Sequence, residues 1–393
     1  SFIGGAQLDD YGHGTHVAGI AAGNGYSSSQ AGAQRRFRGI APNANILDLR
    51  VLDANGMSSD SAVIAAIQRA VQLKKTYNVR VINLSLGRPI YEKCSRDPLC
   101  RAVEAAWKNG IVVVTAAGNL GRNGYGTILS PGNSPHAITV GAMKAMATTP
   151  RGDDQIASYS SKGPTYLDLT VKPDLVAPGN MVASALAPGS TLSAAYPGNV
   201  VAASGGQYLQ LSGTSMATPV VSATAALLLQ RDPALTPDTI KAVLMKTAGK
   251  SFPVATVAVD PSTGAAYPST YDLFTVGAGY LDVDAALRSR ETARYPALSP
   301  SVYYNPLLAT AILVRPGNSV WDNKLWSLPN VWGTQVVQPL GGTAAAWGSA
   351  AAWGSAAAWG SSAAWGTAAA WGSAAAWGSA AAWGSTITGN GEN

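Results

Sequence analysis

Three short stretches bring together residue types suited to nucleophilic chemistry. Gly213-Thr214-Ser215-Met216-Ala217-Thr218-Pro219 sets a serine just after a glycine, ahead of the apolar run Val220 to Leu229. A serine entering a helix there has its own N–H at the positive helix end, where it can stabilise a developing oxyanion. Pro219 is expected in the first helical turn, where its missing N–H removes no helical bond. Alone, the motif reads more readily as a capped helix start, since Ser is a preferred N-cap.

A serine hydroxyl is a weak nucleophile at neutral pH and needs an imidazole within reach to take its proton. The chain holds only three histidines, and two lie in His13-Gly14-Thr15-His16-Val17-Ala18-Gly19, at the head of another apolar helix. As metal ligands spaced i and i+3 they lack acidic or cysteine partners at suitable positions. His16, on the inner side of the helix, reads as a packed structural residue. Ala116-Ala117-Gly118-Asn119 follows the strand candidate Ile111-Thr115. An Asn amide at the carboxyl end of a strand can donate to an oxyanion, although Asn is also an ordinary turn residue.

These residues need a scaffold that holds strand ends and helix starts side by side. From Gly12 to about Ala286, short β-branched runs alternate with amphipathic Ala-rich segments. That is the pattern of an α/β fold: a doubly wound parallel sheet with helices on both faces. Strands are predicted over 45–51, 79–84, 111–115, 137–140 and 175–176. Helices are predicted over 59–74, capped by Ser59 or Asp60 with Val63, Ile64, Ile67, Ala70 and Val71 on one face, and over 99–109, stopped by Gly110.

At these three motifs the sequence resembles the subtilisin-like serine peptidases, across roughly residues 10–286. The resemblance extends to Gly39-Ile40-Ala41-Pro42, Val81-Ile82-Asn83-Leu84-Ser85-Leu86-Gly87 and Lys172-Pro173-Asp174-Leu175-Val176-Ala177-Pro178-Gly179. It implies His13 as general base, Ser215 as nucleophile and Asn119 as oxyanion donor. It also implies that Ser85, Leu86 and Gly87 pair with extended substrate and, with Ala116, Ala117 and Gly118, wall the pocket for the side chain before the cut. Those walls carry no charge and mostly small side chains, so a large apolar residue is expected there. The family's catalytic Asp, in an Asp-Ser/Thr-Gly motif well upstream of the His, has no counterpart among the twelve residues before His13. Asp9 and Asp10 are not assigned that role. The N-terminal strand, the Asp and any propeptide are expected before Ser1, so this segment alone should be nearly inactive. The chemistry requires no cofactor, a structural calcium is left open, and the partners are protein or peptide substrates.

Composition narrows the setting. Apolar residues make up 47% of 393 and charged residues 12%, with 43 Gly and 23 Pro, a profile of a compact, loop-rich extracellular or cell-surface enzyme. The net charge of +6 is scattered apart from Arg35, Arg36 and Arg38, which argues against nucleic acid. No run of about 18 apolar residues spans a membrane. Cys94 and Cys100 lie close enough to close a small disulfide loop in an oxidising compartment, or are two unrelated thiols. The organisation expected is a peptidase domain over 1–288, an irregular Pro- and Trp-bearing linker over 289–342, an Ala-Ala-Ala-Trp-Gly-Ser repeat over 343–385 and a tail over 386–393. The repeat reads as a low-complexity spacer. The rival reading is a non-catalytic surface-binding or adhesive module that displays the Trp-rich repeat.

Overall fold

The computed structural model describes residues 1–4, 8–30, 35–148, 150–203, 205–260, 263–305, 310–333 and 391–392. The 343–385 repeat therefore lies outside the described residues. The central sheet is built from β1 (Val81–Leu84), β2 (Val112–Ala116), β3 (Ile138–Lys144), β4 (Gln155–Ile156) and β5 (Leu175–Pro178). Strands β1, β2, β3 and β5 run parallel, and only the short β4 is antiparallel, against the end of β3. Val112, Val113 and Val114 are buried along β2, as a strand covered on both faces requires.

Nine helices are described: α1 (His13–Ala22), α2 (Asp60–Gln72), α3 (Lys74–Tyr77), α4 (Pro98–Lys108), α5 (Thr191–Ala195), α6 (Thr214–Arg231), α7 (Pro237–Thr247), α8 (Val283–Arg288) and α9 (Leu328–Trp332). Helix α6 lies across β1, β2, β3 and β5 and against α1, while α4 packs on β2 and against α2. The cap of α2 is Ser59, whose Oγ accepts from Ala62 N at 3.3 Å. Helix α4 starts behind Asp97, which accepts from Leu99 N at 2.9 Å, and Gly110, at φ +73°, turns the chain from its end into β2.

A second sheet, β6 (Val182–Ala185), β7 (Val200–Ala203) and β8 (Gly206–Leu211), is antiparallel with β8 central. Two hairpins complete the strands: β9 (Ala255–Val259) with β10 (Ala266–Thr270), and β11 (Ser301–Asn305) with β12 (Thr310–Val314). Cys94 and Cys100 form a disulfide.

Three expectations change. Segment 45–51 is not a strand: it joins no ladder, and Ile46 and Leu47 stand exposed. The stretch after 288 is not simply irregular, because its hairpin and α9 lead into a cluster in which Trp321, Trp326, Val331 and Trp332 are buried. The Trp321 indole donates to Leu298 O at 2.6 Å and meets Trp332 edge-on, and Lys246 of α7 lies over the Trp326 ring. Pro219 sits in the second turn of α6, not the first. Its missing N–H would have served the carbonyl of Ser215, which instead accepts from Ser85 Oγ at 2.8 Å.

The chain also returns to this body at its far end. Glu392 is buried, and its carboxylate accepts from Ser158 N, from Ser158 Oγ and, at 3.1 Å, from the Arg122 guanidinium. Its backbone exchanges two hydrogen bonds with the Asn180 side chain, at 2.9 and 3.0 Å.

Candidate active site

Ser215 is the second residue of α6, with its side chain buried beside the carboxyl end of β1. It is bound to Ser85 in both directions. Ser215 Oγ donates to Ser85 O at 3.0 Å, while Ser85 Oγ donates to Ser215 O. Ser85 is itself oriented by Asn83, whose Nδ2 donates to Ser85 Oγ at 2.9 Å and whose Oδ1 accepts from Ser222 Oγ at 2.7 Å. The head of α6 is thereby locked to the end of β1.

Asn119 follows β2 and faces the same helix start. Its Oδ1 accepts from Thr214 N at 2.8 Å and from Thr214 Oγ1 at 3.0 Å, while Thr214 Oγ1 accepts from Gly118 N at 3.1 Å. Two donors on one oxygen fix the orientation of the amide, so Nδ2 points away from Thr214. Gly213 shows where it points: a Cβ added there would lie 3.1 Å from Asn119 Nδ2 and 3.6 Å from Ser215 N. The space left by this glycine lies between a side-chain amide and the backbone N–H of Ser215, two donors that could serve one oxyanion. Gly179 lets the loop approach β5, since a Cβ on it would meet Gly213 O at 2.7 Å, and its carbonyl accepts from Gly213 N at 2.8 Å.

His13 opens α1, the helix that packs on α6. Its ring is buried, and Nε2 has no hydrogen-bond partner among the described residues. Ser215 Oγ is turned to Ser85 O, so the structure does not join this pair by a hydrogen bond. Burial lowers the His13 pKa to about 4, against the opposing pull of Asp9, and keeps the imidazole neutral at pH 7. Asp9 is occupied otherwise, accepting from Gly12 N at 2.8 Å and Thr15 N at 2.6 Å to satisfy the first turn of α1. His16 has its own partners, with Nε2 3.0 Å from Val182 O and 2.8 Å from Leu209 O. It ties α1 to β6 and β8.

The two expected walls lie beside this center. Ser85, Leu86 and Gly87 leave β1 toward Arg88, which exchanges backbone bonds with Ser130 at 2.7 and 2.9 Å. The guanidinium of Arg88 is buried between Asp60 and Asp97, each within 3.1 Å, and so pins this wall to the starts of α2 and α4. Ala116, Ala117 and Gly118, the other expected wall, lie at the end of β2. The residue that sequence reasoning missed is Leu129, which lies against both walls. A Cβ on Gly87 would be 2.9 Å from Leu129 Cβ, and one on Gly118 would be 2.7 Å from Leu129 Cγ. The available signal was an apolar pair, Ile128-Leu129, inside a stretch otherwise rich in turn formers. Among the described residues no three His, Cys, Asp or Glu side chains group as metal ligands.

Known proteins resemble this chain. Residues 5–279 match the model of the subtilase family. The chain is 42% identical over 241 residues to serine protease AprX of Bacillus subtilis strain 168, covering 60% of this chain and 52% of that protein. It is 34% identical over 258 residues to subtilisin DY of Bacillus licheniformis, covering 64% and 77% respectively. Among solved structures it is similar to sphericase, with a TM-score of 0.53 and 28% identity over 72% of this chain and 83% of that one. The chain thus spans about half the length of AprX. A match across most of the body, on a parallel sheet that carries a serine at a helix start and an Asn at a strand end, places this chain in the subtilase family.

Proposed function

We propose that the chain carries the nucleophile, base and oxyanion donors of a secreted serine endopeptidase. The supporting observation is the space at Gly213, which Asn119 Nδ2 and Ser215 N border from two sides. A capped helix start has no use for it. In the proposed reaction the Ser215 side chain turns from Ser85 O toward His13 Nε2. Oγ then adds to the scissile carbonyl as His13 takes its proton, and the carbonyl oxygen, now an anion, sits between the two N–H donors. The C–N bond breaks as His13 returns the proton to the leaving amine, which leaves an acyl ester on Ser215. Water, deprotonated by the same imidazole, then releases the acid. No step draws on a cofactor.

His13 at a pKa near 4 is a weak base. A carboxylate against its other nitrogen would raise its basicity and fix the tautomer. Without such a carboxylate the Ser215–His13 pair would be nearly inert. The Cys94–Cys100 disulfide supports an oxidising, extracellular or cell-surface setting. No helix among the described residues is long and apolar enough to cross a membrane. The uncharged walls favour apolar side chains before the cut. The large side chain expected from the walls alone must also contend with Leu129.

A serine-directed fluorophosphonate tests the assignment. Labelling of the complete protein is expected at Ser215 and is abolished in Ser215→Ala. Labelling that survives this substitution refutes the nucleophile, and its absence from the unaltered protein favours the adhesive reading.

A further inference from the structure

We infer that Leu129 closes the bottom of the pocket for the side chain before the cut, and that the enzyme cleaves after Ala and other small residues in preference to Phe, Tyr or Leu. The inference rests on the proteolytic reading above and gives it a substrate class.

The two walls each carry a glycine where a side chain would project toward the other wall. Such a pair leaves a slot, but here the slot is filled. One methyl carbon, Leu129 Cδ1, lies 3.2 Å from the Cβ position of Gly87 and 2.9 Å from that of Gly118. The isobutyl group therefore occupies the space that both glycines leave, and only 9% of the residue is exposed. A Phe side chain entering between the walls would need that same volume.

The segment carrying Leu129 is clamped. Leu129 N donates to Ala117 O at 3.0 Å, and Ser130 N donates to Arg88 O at 2.7 Å, which binds the segment to both walls. Thr127 N donates to Lys162 O at 2.9 Å, and Ser130 Oγ donates to Asp97 at 2.8 Å. The backbone has no simple path outward. Displacing the side chain alone forces it against neighbours packed at crystal-like density, as overpacking does in any interior. A methyl group needs no such displacement. Leu129 also adds no charge, so Lys, Arg, Asp and Glu remain disfavoured.

The test is a kcat/KM profile of the complete protein on peptides that differ only in the residue before the cut. Ala is expected to exceed Phe by about tenfold or more, the scale on which pocket size discriminates apolar substrates. Leu129→Gly should raise cleavage after Phe relative to cleavage after Ala by about tenfold to a hundredfold. Leu129→Ala, a milder change, should give a smaller shift in the same direction if the glycine variant folds poorly. Fluorophosphonate titration of Ser215 gives the active fraction of each preparation. Preference for Phe in the unaltered enzyme, or a profile unmoved in both variants, overturns the role of Leu129 while the peptidase reading stands. No hydrolysis and no labelling removes the peptidase reading, and this inference with it.

Discussion

Gly213 contributes here by what it lacks. Its absent side chain keeps two donors facing one volume, so Gly213→Ala inserts a methyl group where an oxyanion would sit. The expected result is a loss of about a hundredfold to a thousandfold in kcat, comparable to removing an oxyanion donor, with KM little changed. Steady-state kinetics beside a melting curve checks this, because equal losses in activity and stability would point to a folding defect. Serine, histidine and asparagine were legible as candidates because their chemistry is written in their side chains. The roles of Gly213 and Leu129 were not, since a glycine next to a serine and a leucine in a loop take their meaning only from what folds against them. Pro219 makes the same point. The hydroxyl that replaces its missing hydrogen bond comes from Ser85, far away in sequence.

At the scale of elements, α2 and α4 lie within two residues of their expected ends, because periodic apolar faces and capping residues are local signals. Four of the five predicted strands formed. The fifth, 45–51, has strand-like residues but joins no ladder, and β-propensity reports little without a partner. The β6–β8 sheet was missed for the opposite reason: its strands are separated by Gly-, Pro- and Ser-rich turns that mask the alternation. His16 joins α1 to that sheet, and its titration should be felt there. Burial lowers the His16 pKa from 6.5 to about 4, as it does for His13. The unfolded chain therefore binds more protons between these values, so stability falls as pH drops from about 6.5 toward 4, by up to about 3 kcal/mol for each of the two buried rings. Denaturant midpoints at pH 7, 5.5 and 4 should show this decline. His16→Gln, which keeps a donor for Val182 O or Leu209 O, should make it shallower; an unchanged slope would assign the effect elsewhere.

At the scale of the whole molecule, the α/β class and the parallel sheet followed from alternating β-branched and Ala-rich runs, a global pattern that survives local errors. The expected boundary at 288 divides two parts that share packing: α7 faces Trp326 through Lys246, and the Ser299 hydroxyl donates to Asp174 at 2.6 Å in a buried cluster with Lys172 and Lys241. Tryptophans spaced without a period gave no sign of a shared core.

The docked Glu392 alters how the end of the chain behaves in solution. An anchor of two described residues, bound separately to the body, would hold only weakly. Covalent connection to the body makes rebinding intramolecular, so that an effective concentration takes the place of the bulk one. Occupancy of the Arg122–Ser158–Asn180 notch is thus a property of chain continuity as much as of contact. One cut anywhere between Gly333 and Gly391 replaces that local concentration with the bulk one. The C-terminal fragment should then leave the body and migrate separately on a native gel, whereas a fragment that stays bound would reveal a larger hold than Glu392 supplies.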